Sequence, residues 1–170
     1  RSHRLQDRLS QRPAADLDVG PDGKFYTTQA RTTSDLGAVR VYDATGTTVL
    51  WNSRSNSPSG TDPFGTAVVR SLKVSPDGKL LAIMRNDTQT WLIGLTNGIP
   101  DLSKSNLLAL AGTVSGVSVN TREVSWDAAG NIYVADSSHE RLRVWSPGGF
   151  STAITRSDGT FQLSTPPTVV

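Results

Sequence analysis

The amino-acid sequence predicts an all-β fold built from repeated four-stranded antiparallel units, and three observations carry that expectation. Fifteen Gly and nine Pro among 170 residues, with abundant Ser and Thr, break the chain into short runs separated by turns, the profile of strands rather than helices. One pattern recurs three times: DLDVGPDGKFY from Asp16 to Tyr26, SLKVSPDGKLL from Ser71 to Leu81, and EVSWDAAGNIY from Glu123 to Tyr133. The turn glycines of the three copies are Gly23, Gly78 and Gly130, giving steps of 55 and 52 residues, a spacing suited to one supersecondary unit per repeat.

Each copy resolves into four strands. Strand a places apolar residues at alternate positions, Leu17 and Val19, Leu72 and Val74, Val124 and Trp126, the two-residue period of a strand with one buried face. A tight turn follows, Pro-Asp-Gly twice and Ala-Ala-Gly once; proline presets φ and glycine accepts the positive φ that closes the turn. Strand b is apolar on both faces, most plainly in Leu80 to Met84, so it requires cover above and below. Strand c recurs as Val39 to Tyr42, Thr90 to Ile93 and Leu142 to Trp145, and strand d as Thr48 to Trp51, Asn106 to Ala109 and Ser151 to Ile154.

The doubly apolar strand b discriminates between architectures. The outer face of a sandwich strand usually meets water, whereas a propeller blade is packed between two neighbours. The expected fold is therefore a β-propeller with an incomplete ring: a basic leader or linker at 1–14, blade 1 at 15–69, blade 2 at 70–120, and blade 3 at 121–170, where Phe161 to Val170 is a candidate start of a further blade. Propellers use roughly four to eight blades. About three blades, in a chain whose first residue is Arg1, suggest a processed or excised portion of a larger ring, or copies that assemble into one.

The run from Asp127 to Gly149, DAAGNIYVADSSHERLRVWSPGG, resembles the NHL-type propeller repeat: a glycine turn, an IYVAD strand, a short loop, an Arg-(Ile/Leu)-x-Val strand and a closing Gly turn. Gly130, Asn131, Tyr133, Val134, Ala135, Asp136, Arg141, Leu142 and Val144 fall on that pattern, and His139 stands where the family commonly has asparagine. The resemblance implies a binding or assembly role. It also implies an alternative, since six-bladed relatives with lactonase or esterase activity hold a divalent cation such as calcium at the centre of the ring. Asp16 and Glu123, with Ser71, are equivalent in the repeat and are the metal candidates under that alternative.

Composition narrows the function classes. With no cysteine there is no disulfide framework, thiolate metal site or cysteine nucleophile. No apolar run is long enough to span a membrane, and the leader is too sparsely apolar for stable insertion. The formal charge of +2 is concentrated in residues 1–14, where Arg1, Arg4, Arg8 and Arg12 face Asp7 alone for a net +3; residues 15–170 sum to −1. A nucleic-acid partner is not implied. The two histidines, His3 and His139, have no GxSxG elbow to serve, so serine-type hydrolysis has little support and the balance favours a non-catalytic protein.

Longer loops are expected on one face, at Arg31 to Gly37, Ser53 to Thr66, Gly112 to Thr121 and Asp136 to Glu140, where a rigid scaffold presents binding residues. The ligand candidates are Trp51 at the outer rim, Arg54, Asp62 and Phe64 in SRSNSPSGTDPFGT, and His139. Trp91, Trp126, Trp145 and Tyr42 read as packing residues. The leading expectation is a binding or assembly domain of a secreted or cell-surface bacterial protein, taking a protein or carbohydrate ligand and further blades as partners, with no cofactor. Beside it stand half of a metal-dependent lactonase or esterase, and a structural unit of a filament or surface layer.

Overall fold

The computed structural model describes residues 14–29, 38–64, 69–85, 90–108, 121–136, 141–146, 149–155 and 161–163. Three antiparallel sheets follow one another along the chain. β1 (Ala14–Val19), β2 (Phe25–Gln29), β3 (Val39–Tyr42) and β4 (Val49–Asn52) form the first in simple order. β5 (Val69–Val74), β6 (Leu80–Arg85), β7 (Thr90–Thr96) and β8 (Ile99–Leu108) form the second; β9 (Thr121–Trp126), β10 (Ile132–Asp136), β11 (Arg141–Ser146), β12 (Gly149–Thr155) and β13 (Phe161–Leu163) form the third. No helix is present among the described residues, and the sheets do not close into a ring. The expected all-β, incomplete propeller is the observed fold class.

Two departures have local causes. β8 begins at Ile99, well before the expected Asn106, because β7 and β8 are joined by the two-residue turn Asn97-Gly98. Asn97 has φ 52° and Gly98 φ 72°, the paired left-handed geometry that matches the twist of a hairpin and selects Asn-Gly. Phe161–Leu163 pairs with β12 at the outer edge of the third sheet and so belongs to that sheet; the rest of the candidate further blade, Ser164 to Val170, lies outside the described residues.

The register fixes which residues face which sheet. Val74 pairs with Leu81 and Leu81 with Ile93, while Leu72 pairs with Ile83; these rows pack on Tyr26, Val39, Val41 and Trp51 of the first sheet. On the opposite face of sheet 2, Ala82, Met84 and Leu92 pack on Val124, Ile132 and Val134 of sheet 3, with Trp126 and Trp145 against them. This is why β6 is apolar on both faces: Leu81, Ala82, Ile83 and Met84 are all buried, alternate ones against each neighbour. The apolar positions of strand a face the preceding sheet. In sheets 2 and 3, Leu72, Val74 and Val124 are accordingly buried. Among the described residues no sheet precedes and covers sheet 1, and Leu17 and Val19 are each 51% exposed, contrary to the burial their alternation suggests.

A second contact ties sheets 1 and 2 at their turns. The Tyr26 hydroxyl, buried, donates to the Gly98 carbonyl at 2.7 Å, and burial raises the Tyr26 pKa far above its ordinary value. A Cβ at Gly98 would collide with the Asp22 carboxylate, and the positive φ there is one that L side chains rarely adopt. Tyr26→Phe is expected to lower stability by about 1 kcal/mol, the net value of one buried hydrogen bond. Gly98→Ala, which adds both a clash and backbone strain, is expected to lower it more. Urea unfolding of both variants checks the order.

Candidate functional site

Three places gather polar or aromatic side chains. The first is the inner edge, where strand a of each sheet has no neighbouring strand on one side and its amides there lie outside the strand ladder. Asp16 Oδ2 accepts from the Leu72 N–H at 3.0 Å and from the Ser71 hydroxyl at 2.9 Å. Asp18 Oδ2 accepts from the Val74 N–H at 2.7 Å. One sheet further on, Ser71 Oγ accepts from the Val124 N–H at 3.4 Å, and the Trp126 indole donates to the Lys73 carbonyl at 3.0 Å. Lys73 Nζ lies 3.6 Å from Asp16 and 4.0 Å from Asp18. The metal candidate Asp16 is thus engaged with β5; Glu123 is exposed on β9. Among the described residues no group of three or more His, Asp or Glu side chains comes together.

The second place is the connection from β4 to β5, the described part of the long-loop face. Asp62 organises it: Oδ2 accepts from the Ala38 N–H at 2.6 Å and the Ser53 hydroxyl at 3.0 Å, and Oδ1 from the Phe64 N–H at 3.0 Å. The Ala38 bond joins this loop to the one before β3. Phe64 is fully buried and meets Trp91 edge-on, ring centroids 6.2 Å apart. Trp51 is 4% exposed and belongs to the same core.

The expectation of an aromatic anchor at Phe64 and a rim-exposed ring at Trp51 is therefore corrected. The loop folds back so that its aromatic side chain seals the outer end of the contact between sheets 1 and 2, and apolar burial outweighs display. Asp62 is turned inward to hold that fold. Arg54 is half-buried in the same loop. His139, Arg31 to Gly37 and Gly112 to Asn120 lie outside the described residues.

The third place was not anticipated. A cleft of about 300 Å³ opens between sheets 2 and 3 at the turn end, opposite the long loops. Trp126, Trp145, Pro76, Leu80 and Ala129 supply its apolar wall, with Ser75 and Asp77 at the rim. Both indoles are half-buried. The turn beside it is fixed by Asp127, which accepts from the Ala129 and Asn131 N–H groups (each 2.9 Å), Asn131 Nδ2 (2.7 Å) and the Tyr133 hydroxyl (2.8 Å). These bonds, the Asn131 side chain first, hold the Asp127 carboxyl below its ordinary pKa, and the hydrogen bond to Asp127 raises the pKa of the Tyr133 hydroxyl.

No family model matches the chain, and no curated protein matches its sequence. Solved structures do. A protein from Lactobacillus plantarum superposes with a TM-score of 0.54 at 11% identity, over 92% of this chain and 57% of that one. Kluyveromyces lactis Hsv2 with loop 6CD replaced by a Gly-Ser linker gives 0.50 at 11% identity, over 88% and 43%. A protein of unknown function from Bacteroides caccae covers 90% of this chain and 53% of its own, at 13% identity and a TM-score of 0.46. The chain spans about half the length of the structures it matches. The shared property is the fold, a β-propeller.

Two measurements test these assignments. Phe64→Ala is expected to lower stability by about 3–5 kcal/mol, and Asp62→Ala, which strands part-buried amides, by about 1–3 kcal/mol; urea unfolding reads both. The sign of the pH effect at Asp127 follows from its depressed folded pKa. Its contribution is complete above the ordinary aspartate value of about 3.9 and is lost as pH falls through the lower folded value. Melting temperature is expected to drop as pH is taken from about 5 to about 2, with a shallower drop in Asp127→Asn.

Proposed function

We propose that the chain is a binding and assembly portion of a larger NHL-like propeller, with further blades as its immediate partners and a secreted or cell-surface protein as its setting. One observation carries this reading: the apolar face of sheet 1. Val19 pairs with Phe25 and Phe25 with Tyr42, which in turn pairs with Val49. This row is equivalent to Val74, Leu81 and Ile93 of sheet 2 and to Trp126, Ile132 and Trp145 of sheet 3. Each of those rows is packed against a preceding sheet. On sheet 1 the same row is open, with Val19 51% and Val49 46% exposed beside Leu17 at 51%. A contiguous apolar face of this kind marks an association surface, and its strand register suits another blade. The partial coverage of solved propellers is in keeping with it.

Recognition of a protein or carbohydrate ligand on the long-loop face is the finer part of the same reading, with Arg54 the half-buried loop side chain there. The scaffold role of Asp62 and Phe64 supports a rigid rather than a yielding surface.

The 170-residue chain is expected to self-associate beyond its 18.2 kDa mass, or to bind anilinonaphthalene sulfonate strongly as a monomer. Leu17→Asp with Val19→Asp is expected to suppress both while leaving the melting temperature within a few degrees. Light scattering after size exclusion, with dye titration, reads this. A wild-type monomer that binds no dye at any concentration overturns the proposal.

A further inference from the structure

We infer that the cleft between sheets 2 and 3 binds a proline-bearing extended segment of a partner polypeptide. It lies on the turn end of the molecule and does not depend on the assembly reading above.

The inference starts from a difference between two equivalent contacts. Between sheets 1 and 2, the turn of sheet 1 closes down on that of sheet 2: a Cβ at Gly78 would lie 2.9 Å from the Pro21 ring. Between sheets 2 and 3 the equivalent glycine is Gly130, and a Cβ there would meet nothing within 4 Å. The cleft occupies that position, as the outward continuation of the packed contact of Ala82, Met84 and Leu92 with Val124, Ile132 and Val134. The molecule therefore shows what its own repeat places at this point: a proline ring against a turn glycine.

The lining selects the same chemistry. Trp126 and Trp145 present aromatic surface, which extended proline segments dock against at low entropic penalty because their conformation is already set. The rim offers little to a sugar. Asp77 Oδ1 already accepts from the Ser75 hydroxyl at 2.7 Å and the Lys79 N–H at 3.1 Å, and the Ser75 oxygen accepts from the Leu80 N–H at 2.9 Å. The Trp126 N–H is given to the Lys73 carbonyl. Lys79 Nζ stands 3.6 Å from Asp77 Oδ2, offsetting the one carboxylate that would draw a cation. An apolar ring with few polar groups matches what remains.

The test uses decaproline and the ¹⁵N-labelled 170-residue chain, whose four tryptophans give separate indole N–H resonances. Saturable shifts of Trp126 and Trp145, with Trp51 and Trp91 unmoved and Kd below about 1 mM, are the expected result. Trp145→Ala is expected to weaken binding at least about tenfold. Ala129→Phe, which fills the cleft from an exposed position, is expected to do the same and serves where Trp145→Ala does not fold. Absence of saturable shifts up to about 5 mM, shifts that persist unchanged in Ala129→Phe, or a response to cellohexaose with none to decaproline overturns the inference.

Discussion

The innermost strand of every propeller blade has a row of amides that no neighbouring strand can receive, and in this protein the rest of the structure follows from how those amides are satisfied. A free sheet edge turned toward the protein interior carries a penalty for each unmet donor. Here the preceding sheet supplies the acceptor: Asp16 for Leu72, Asp18 for Val74, Ser71 for Val124. The tie is made at the axis. It sets the separation of successive sheets where they are closest and obliges their faces to fill with apolar side chains as they diverge. Lys73 stands near both carboxylates, so the negative charge at the edge is partly compensated without removing either acceptor.

This constraint also explains what the sequence showed clearly. Strand a alternates because its even positions in blade 1, Asp16 and Asp18, must reach forward as acceptors, while its odd positions, Leu17 and Val19, face backward. The same division recurs as Ser71 and Lys73 against Leu72 and Val74. Alternation alone cannot say whether a backward sheet exists, so Leu17 and Val19 read like Leu72 and Val74 although they are exposed. The doubly apolar β6 was the stronger signal, because a run from Leu80 to Met84 has only one economical environment, a sheet on either side.

The site was less legible, for a physical reason. The loop from Ser53 to Phe64 has the composition of a displayed surface, yet its Asp62 bonds Ala38, 24 residues earlier, and its Phe64 meets Trp91 in the next sheet. Both partners are tertiary, and nothing in the local run marks them. Trp126 and Trp145 presented the converse case. Repetition identified them as packing residues, and they do pack on Val124, Ile132 and Val134. That their outer surfaces line an opening depends on how the turns beside them sit, which no single strand encodes.

The opening has an identifiable origin in side-chain size and turn closure. In sheet 2 the row facing backward ends in Val74 and Ile93; in sheet 3 the equivalent positions are Trp126 and Trp145. Two indoles in place of two branched aliphatics act as a wedge at the turn end. The Trp126 N–H bond to the Lys73 carbonyl keeps that ring inward, so the sheets stay joined at the axis while their turns are held apart. The turn of sheet 2 is also one residue longer. It closes from the Ser75 N–H to the Leu80 carbonyl, whereas the turns of sheets 1 and 3 close from Gly20 to Lys24 and from Asp127 to Asn131. Pro76 consequently lines the wall of the cleft, where Pro21 in the preceding contact fills the gap.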